Sequence, residues 1–248
     1  MSTLQDVTHD TVFQGRVKLV QPAKGLRATT DSLLLAASVA AKPGAHLLEF
    51  GTGCGGALLP AAWRSPEVAF TGLELEPDLA ALARQGAQEN GFGDRVSVIA
   101  AEASAWVRDH ENRFDCIFAN PPFFEPGRIS PPGDKKTGAY IASLSLEDWL
   151  KAMVFAAKPR APVIVLHRAA ELARLLAPLD RWGGEITVLP IHPRPGQPAN
   201  RVLVRMRKGL RRGDARLLPG LCLHADGTTD APGPVLQAVR QGLALDWD

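Results

Sequence analysis

Short apolar runs alternate with longer amphipathic stretches along most of the chain. Residues Ala45–Phe50, Val68–Leu73, Val96–Ala101, Phe114–Ala119 and Ala161–Leu166 have the length and continuity of strands buried on both faces. Between them lie segments with helical spacing, clearest over Pro77–Asn90, where Pro77 suits a first helical turn and Gly91 a stop. Strand-helix alternation of this kind predicts a parallel sheet covered on both faces. Two further runs, Glu185–Ile191 and Arg201–Met206, are joined by a proline-rich connector, His192–Asn200, with no helical pattern. A connection without a crossover helix joins antiparallel strands. The seven runs therefore predict an α/β fold with a seven-stranded mixed sheet, mostly parallel, the last strand antiparallel. A further helix is expected over Thr30–Ala41, packed near the sheet edge.

Composition narrows the class. At 248 residues, with 46% hydrophobic and 22% charged positions, the chain has material for one well-packed domain. The first ten residues lack the basic stretch and apolar run of a signal peptide, and no apolar run reaches the length of a membrane span. Cys54, Cys116 and Cys222 are odd in number, widely spaced and free of CxxC pairing, so neither a disulfide framework nor a zinc site is expected. No metal, no membrane and a cytoplasmic location are the corresponding expectations. A net charge of +2 is too small to imply nucleic-acid binding by itself.

The first predicted strand runs into Glu49-Phe50-Gly51-Thr52-Gly53-Cys54-Gly55-Gly56. Glycines at a strand-to-helix turn permit a tight bend and let a ligand lie on the backbone. Gly51, Gly53 and Gly56 also satisfy the dinucleotide spacing GxGxxG, with Glu74 placed to bind a ribose, so the loop alone leaves two cofactors open. The acids separate them. Glu49, Glu74 and Glu102 fall at or near the C-terminal ends of successive predicted strands, the edge where open α/β sheets bind ligands. A pyrophosphate would be repelled by Glu49, whereas S-adenosylmethionine carries a cationic sulfonium and an ammonium and no phosphate. Glu74 would accept from the ribose hydroxyls and Glu102 would lie beside the adenine amino group. The plain alternatives are a loop carboxylate for Glu74 and a helix-starting residue for Glu102. Glu76, on the other side of the chain, reads as a solvated charge.

The most informative stretch is Asn120-Pro121-Pro122-Phe123, followed by Phe124. Two prolines hold the backbone rigid, so the Asn120 amide oxygen and the Pro121 carbonyl are pre-positioned acceptors for one NH2 group. Such a pair selects an amino nitrogen, orients its lone pair and stabilises the positive charge that develops as it attacks a methyl group. Phe123 can stack on a planar base, and base–aromatic stacking contributes roughly 1–3 kcal/mol. A paired base would be inaccessible, which favours a single-stranded or flipped-out substrate.

The glycine loop, Glu74 and the Asn-Pro-Pro-Phe tetrad resemble the class I methyltransferases that modify exocyclic or amide amino groups. The pattern is closer still to the bacterial tRNA adenine-N6 methyltransferases that modify valine tRNA beside its anticodon. Members of that family carry a stretch similar to Thr30-Asp31-Ser32-Leu33-Leu34-Leu35 before the glycine loop, and one similar to His192–Val204 near the C-terminus. The resemblance spans about residues 13–245 and implies a Rossmann-like class I fold. It implies residues 1–44 as a segment and helix packing on the cofactor site, followed by the methyltransferase domain proper, 45–248. Its implied cofactor is S-adenosylmethionine, held by Thr30, Asp31, Glu49, Gly51, Gly53 and Gly55, with Leu75, Ala103 and Asn120 joining Glu74 and Glu102. Asp31 equally suits an N-cap for Leu33–Ala41. The implied substrate is an adenine in RNA, tRNA foremost, with adenine-N6 or guanine-N2 methylation of ribosomal RNA as the alternative. Residues 126–138 depart from the family in their proline and glycine content, which concerns the substrate side.

Basic residues cluster in two places. Arg194, Arg201, Arg205, Arg207, Lys208, Arg211, Arg212 and Arg216 crowd a C-terminal segment containing one acid, Asp214, while Arg128, Lys135 and Lys136 follow the tetrad. Flanking a methyl-transfer site, such groups would hold RNA phosphates, with Phe124, Arg128, Lys135, Lys136, Arg194, Arg201 and Arg205 as the contacts expected. Strand alternation puts Arg201, Arg205 and Arg207 on one face. The plain reading is a solubilising strand edge. His167 and His192 have no partner at metal-ligand spacing. Protein glutamine methyltransferases use a similar tetrad, but with Tyr usually in place of Phe123 and a helical domain ahead of it, for which the residues before 45 leave no room. An NAD-dependent oxidoreductase would leave the tetrad unexplained, and a non-catalytic RNA-binding relative would not need it intact.

Overall fold

The computed structural model describes residues 6–122, 144–210, 213–225 and 230–247. Their largest feature is a nine-stranded mixed sheet with helices on both faces. In chain order its strands are β3 (His46–Phe50), β4 (Ala69–Glu74), β5 (Val96–Ala100), β6 (Cys116–Ala119), β7 (Pro162–Arg168), β8 (Gly183–His192), β9 (Arg201–Lys208), β10 (Arg216–Leu217) and β11 (Leu221–Cys222). Spatially they run β10-β8-β9-β7-β6-β3-β4-β5, with β11 also on β8. The seven expected strands are all present. β9 runs antiparallel to both β7 and β8, while β3, β4, β5, β6 and β7 are parallel. The two additional strands are two-residue pairings along the outer edge of β8, too short to leave a periodic signal in the sequence.

Two apolar clusters fill the faces because side chains alternate along each strand. Leu47, Phe70, Cys116, Phe118 and Ile164 belong to one, while Leu48, Phe50, Leu73, Ile117, Ala119 and Val163 belong to the other. Helix α1 (Thr30–Ser38) and α2 (Leu58–Arg64) join the first cluster, and α5 (Leu146–Ala156) and α6 (Leu172–Trp182) join the second. Helix α3 (Pro77–Glu89) matches its expected limits, and Gly91 after it takes the left-handed conformation, φ +71°.

Three expectations about the N-terminal region are corrected. Helix α1 ends at Ser38, and it packs against β7 inside the sheet rather than at an edge. Its N-cap is Thr29, in a reciprocal capping box with Ser32, so Asp31 does not cap it. Instead the Asp31 carboxylate accepts from Arg201 Nε at 2.9 Å. Ahead of α1 lies an unexpected hairpin, β1 (Val7–Val12) and β2 (Val17–Pro22), whose second strand packs on α3. The alternation in Val-Lys-Leu-Val and the Gln14-Gly15 turn were its sequence signals.

Candidate active site

Strand order brings the informative residues to one place. Chain direction across the sheet reverses between β3, which leads on to β4 and β5, and β6, which leads on to β7. A crevice opens outside the C-terminal ends of the strands at such a switch point. β3 pairs with β6 so that Phe50 lies opposite Ala119, which sets Gly51 beside Asn120 just beyond the paired ends. Alternation does the rest. Leu48 and Phe50 face the second cluster, so Glu49 points to the opposite face; Leu73 and Ala119 likewise leave Glu74 and Asn120 on Glu49's side.

On that side a cavity is lined by Glu49, Gly51, Thr52, Gly53, Cys54, Gly56 and Asn120, closed by Leu26, Arg27 and Ala28 and by Ser32 and Leu35 of α1. The turn that builds it needs glycine: Gly51 has φ +68° and Gly53 φ +57°, and a methyl group on Gly53 would lie 2.9 Å from Leu26 Cδ2. The turn is tied down from β4, with Thr52 N donating to Leu73 O at 2.9 Å and Gly53 N to Glu74 Oε2 at 2.7 Å.

The carboxylates differ in state. Glu49 is 3% exposed and its Oε2 accepts from Thr52 Oγ1 at 2.6 Å. Burial pushes its pKa up to about 8, against the opposing pull of the Thr52 hydroxyl, and neighbouring Glu74 pushes the same way. Burial also raises Glu74, offset by the backbone N–H groups of Glu76, Gly53 and Leu75. Burial pulls Glu102 upward too, but hydrogen bonds from Ser104 and Ala105 outweigh it and hold that carboxyl below the usual range. Glu102 is the N-cap of α4 (Ala103–Trp106), accepting from Ser104 N at 2.9 Å and Ala105 N at 2.7 Å. Its helix-starting reading is thus realised.

Asn120 Oδ1 is buried and, among the described residues, has no hydrogen-bond partner. A buried amide acceptor without a partner is destabilising by roughly 1–3 kcal/mol, and such atoms mark places where a ligand group completes the bonding. Of the residues expected to hold the cofactor, Glu49, Gly51, Gly53 and Asn120 line the cavity and Glu74 braces it. Leu75 is 49% exposed at the same strand edge, next to Glu74. Thr30, Asp31 and Gly55 are not in the lining; Ser32 and Leu35, one turn further along α1, are. The largest omission of the sequence reading is the Leu26–Ala28 wall, which carries no motif and is positioned by the hairpin.

The basic residues are arranged otherwise than expected. Arg201, Arg205 and Arg207 do share a strand side, along which Arg201 and Arg205 are half-buried and Arg207 is exposed. Arg201 binds Asp31, Arg205 lies 4.9 Å from the Trp247 ring, and Arg207 Nε is 3.1 Å from Glu185. Arg194 pairs with Asp230, and Lys208 Nζ donates to Asn112 and to the Phe155 and Ala157 carbonyls. Arg201, Arg205 and Arg207 thus each have a partner within the protein, on α1, on the C-terminal segment or on β8. Phe123, Phe124, Arg128, Lys135, Lys136, Arg211 and Arg212 lie outside the described residues.

Residues 47–128 match the family described as "Methyltransferase domain". The chain is 29% identical over 186 residues to a tRNA1(Val) (adenine(37)-N6)-methyltransferase of Yersinia enterocolitica, covering 74% of each chain. It is 25% identical over 209 residues to one of the same name from Dyadobacter fermentans, covering 84% of this chain and 86% of the other. Among solved structures, a predicted O-methyltransferase from Agrobacterium tumefaciens shares the fold with a TM-score of 0.69 at 24% identity, over 87% of this chain and 98% of that one. Fold, glycine turn, acidic strand ends and tetrad define a class I methyltransferase. The chain is an enzyme of that class, and its methyl donor is S-adenosylmethionine. Among the described residues, no helix is long and apolar enough to cross a membrane.

Proposed function

We propose that this enzyme methylates the exocyclic N6 of an adenine in tRNA, at the position named in its relatives, adenine 37 of a valine tRNA, and that it does so in the cytoplasm. The observation that carries the reading is the buried Asn120 Oδ1, without a partner among the described residues, beside Gly51 at the sheet's switch point. An acceptor held there has lost its water before the substrate arrives, so an incoming NH2 group meets no competing solvent.

When bound, S-adenosylmethionine supplies an electrophilic methyl group on a cationic sulfonium. Glu49 and the turn of Gly51 and Gly53 would hold its methionine end, and Glu74 its ribose. The cavity fits this group chemically, since a buried carboxylate beside the glycine turn opposes a pyrophosphate and favours an ammonium. Asn120 Oδ1 and the Pro121 carbonyl would each accept one hydrogen of the adenine amine, which turns the nitrogen lone pair outward. The same two acceptors gain strength as that nitrogen becomes positive, and so act mainly in the transition state. Phe123 would stack on the base, and Phe124, Arg128, Lys135 and Lys136 would hold the RNA beyond it. Arg194, Arg201 and Arg205 are reassigned here to structural support.

The test is incubation of the purified protein with methyl-labelled cofactor and separate tRNA, ribosomal RNA and protein fractions. Label is expected in tRNA as N6-methyladenosine. Label confined to protein, or to a nucleoside other than adenosine, refutes the proposal.

A further inference from the structure

Arg27 is the one cationic residue among the described residues lining the cofactor cavity. Its neighbours fix it there: Leu26 packs on Gly53 and Ala28 on Gly56, and Ala28 N donates to Gln21 Oε1 at 2.6 Å. Gln21 is itself 3% exposed and its amide also donates to Asp10 Oδ2 at 3.0 Å.

The guanidinium is oriented by the hairpin. Nη1 donates to Thr8 Oγ1 and to Pro22 O, both at 2.8 Å, and Nη2 donates to Asp10 Oδ2 at 2.8 Å. Arginine has five N–H groups, so among the described residues Nε–H and one Nη2–H remain. These two are neighbours on one edge of the plane, at the spacing that matches both oxygens of a carboxylate.

We propose that Arg27 receives the α-carboxylate of S-adenosylmethionine through this edge, opposite Glu49, which takes the ammonium. The inference rests on the reading that the cavity holds the methionine end of the cofactor. It explains what the hairpin is for. Asp10 and Thr8 lock one side of the guanidinium, so little side-chain freedom remains to be lost when the ligand binds. Because Asp10 already balances the charge of Arg27, attraction at a distance is weak and the selectivity lies in the two directed hydrogen bonds. A cofactor fragment lacking the amino acid would be indifferent to Arg27.

Calorimetry with three ligands tests this: S-adenosylhomocysteine, its decarboxylated counterpart, and 5′-methylthioadenosine, which lacks the amino acid. The wild-type enzyme is expected to prefer S-adenosylhomocysteine over the decarboxylated compound by about 10- to 100-fold, the range for charge-assisted hydrogen bonds. Arg27→Met should reduce that preference to about 2-fold or less while leaving 5′-methylthioadenosine affinity unchanged, and Arg27→Lys should retain part of it. Asp10→Asn, which loosens the brace but keeps the cation, should keep most of the preference. If the wild-type enzyme binds none of the three ligands, the cofactor reading fails. If it binds the first two equally, or Arg27→Met keeps the preference, or that variant weakens all three ligands alike, the carboxylate role of Arg27 is overturned. Should Arg27→Met not fold, the wild-type preference and its reduction in Arg27→Lys decide the matter.

Discussion

Glu49 offers a sharp test of how the cavity is charged. Its carboxyl moves from an ordinary 4.5 to about 8 because burial disfavours the anion, with the Thr52 hydroxyl and the Leu58 backbone N–H opposing and Glu74 reinforcing the rise. At about 1.4 kcal/mol per pH unit, the folded protein holds that proton more tightly than the unfolded chain by about 5 kcal/mol. The sign follows directly. Below pH 4.5 both states are protonated and above pH 8 both are ionised, so the stability is complete at the acid end and is lost as pH rises through that window. Glu49→Gln keeps an acceptor for Thr52 but cannot ionise. Relative to wild type, the variant should gain up to about 5 kcal/mol between pH 5 and 8.5, read from urea denaturation of the ligand-free protein at intervals of half a pH unit. Binding should behave in the opposite sense. The wild-type affinity for S-adenosylhomocysteine should rise towards pH 8 as the carboxylate forms, while Glu49→Gln stays weak and flat. A stability difference between the two proteins that does not change with pH would refute the reasoning.

Asn120→Ala should lower methyl transfer to tRNA by about 10²–10³-fold, the effect of removing one transition-state hydrogen-bonding group. Its affinity for S-adenosylhomocysteine should stay within about 3-fold, and full activity would remove Asn120 from the chemistry. Gly53→Ala, at φ +57° and with Leu26 Cδ2 only 2.9 Å from the new methyl, should lose about 10-fold or more in cofactor affinity, measured by calorimetry. Thiol labelling of the native protein at pH 8 should modify Cys222 first. Cys54 and Cys116 are buried, with pKa pushed up to about 11 and about 12, and should react only on unfolding; early modification of Cys54 would mean that the glycine turn opens.

Much of the architecture was legible locally. The strands from β3 to β7 are continuous apolar runs because both faces are covered, and α3 carries its own start and stop in Pro77 and Gly91. The hairpin β1–β2 was missed although its alternation is present, since among the described residues its strands pair with each other alone, and β2 packs on α3 and α2. Single-residue roles were less legible where a charge had more than one partner within reach. Asp31 and Arg201 are 170 residues apart, and each was assigned separately, one to the cofactor and one to RNA, whereas they bind each other. Glu102 carried both readings, and its hydrogen bonds to Ser104 and Ala105 realise the cap.

By itself the sequence determined the kinds of group available and their order: a glycine turn closing the first strand of the main sheet, acids at successive strand ends, and a rigid acceptor pair after the fourth. Those features are local, because backbone conformation, strand alternation and the restraint of two prolines act within a few residues. Only the tertiary structure decided which groups meet. Pairing β3 with both β4 and β6 sets Glu49 and Asn120 on one cavity with Glu74 bracing its glycine turn, and docking the hairpin brings Arg27 to its wall. Burial then raises Glu49 and leaves Asn120 Oδ1 without a partner among the described residues. Solvent exclusion is a property of the packed whole, and no stretch of sequence carries it alone.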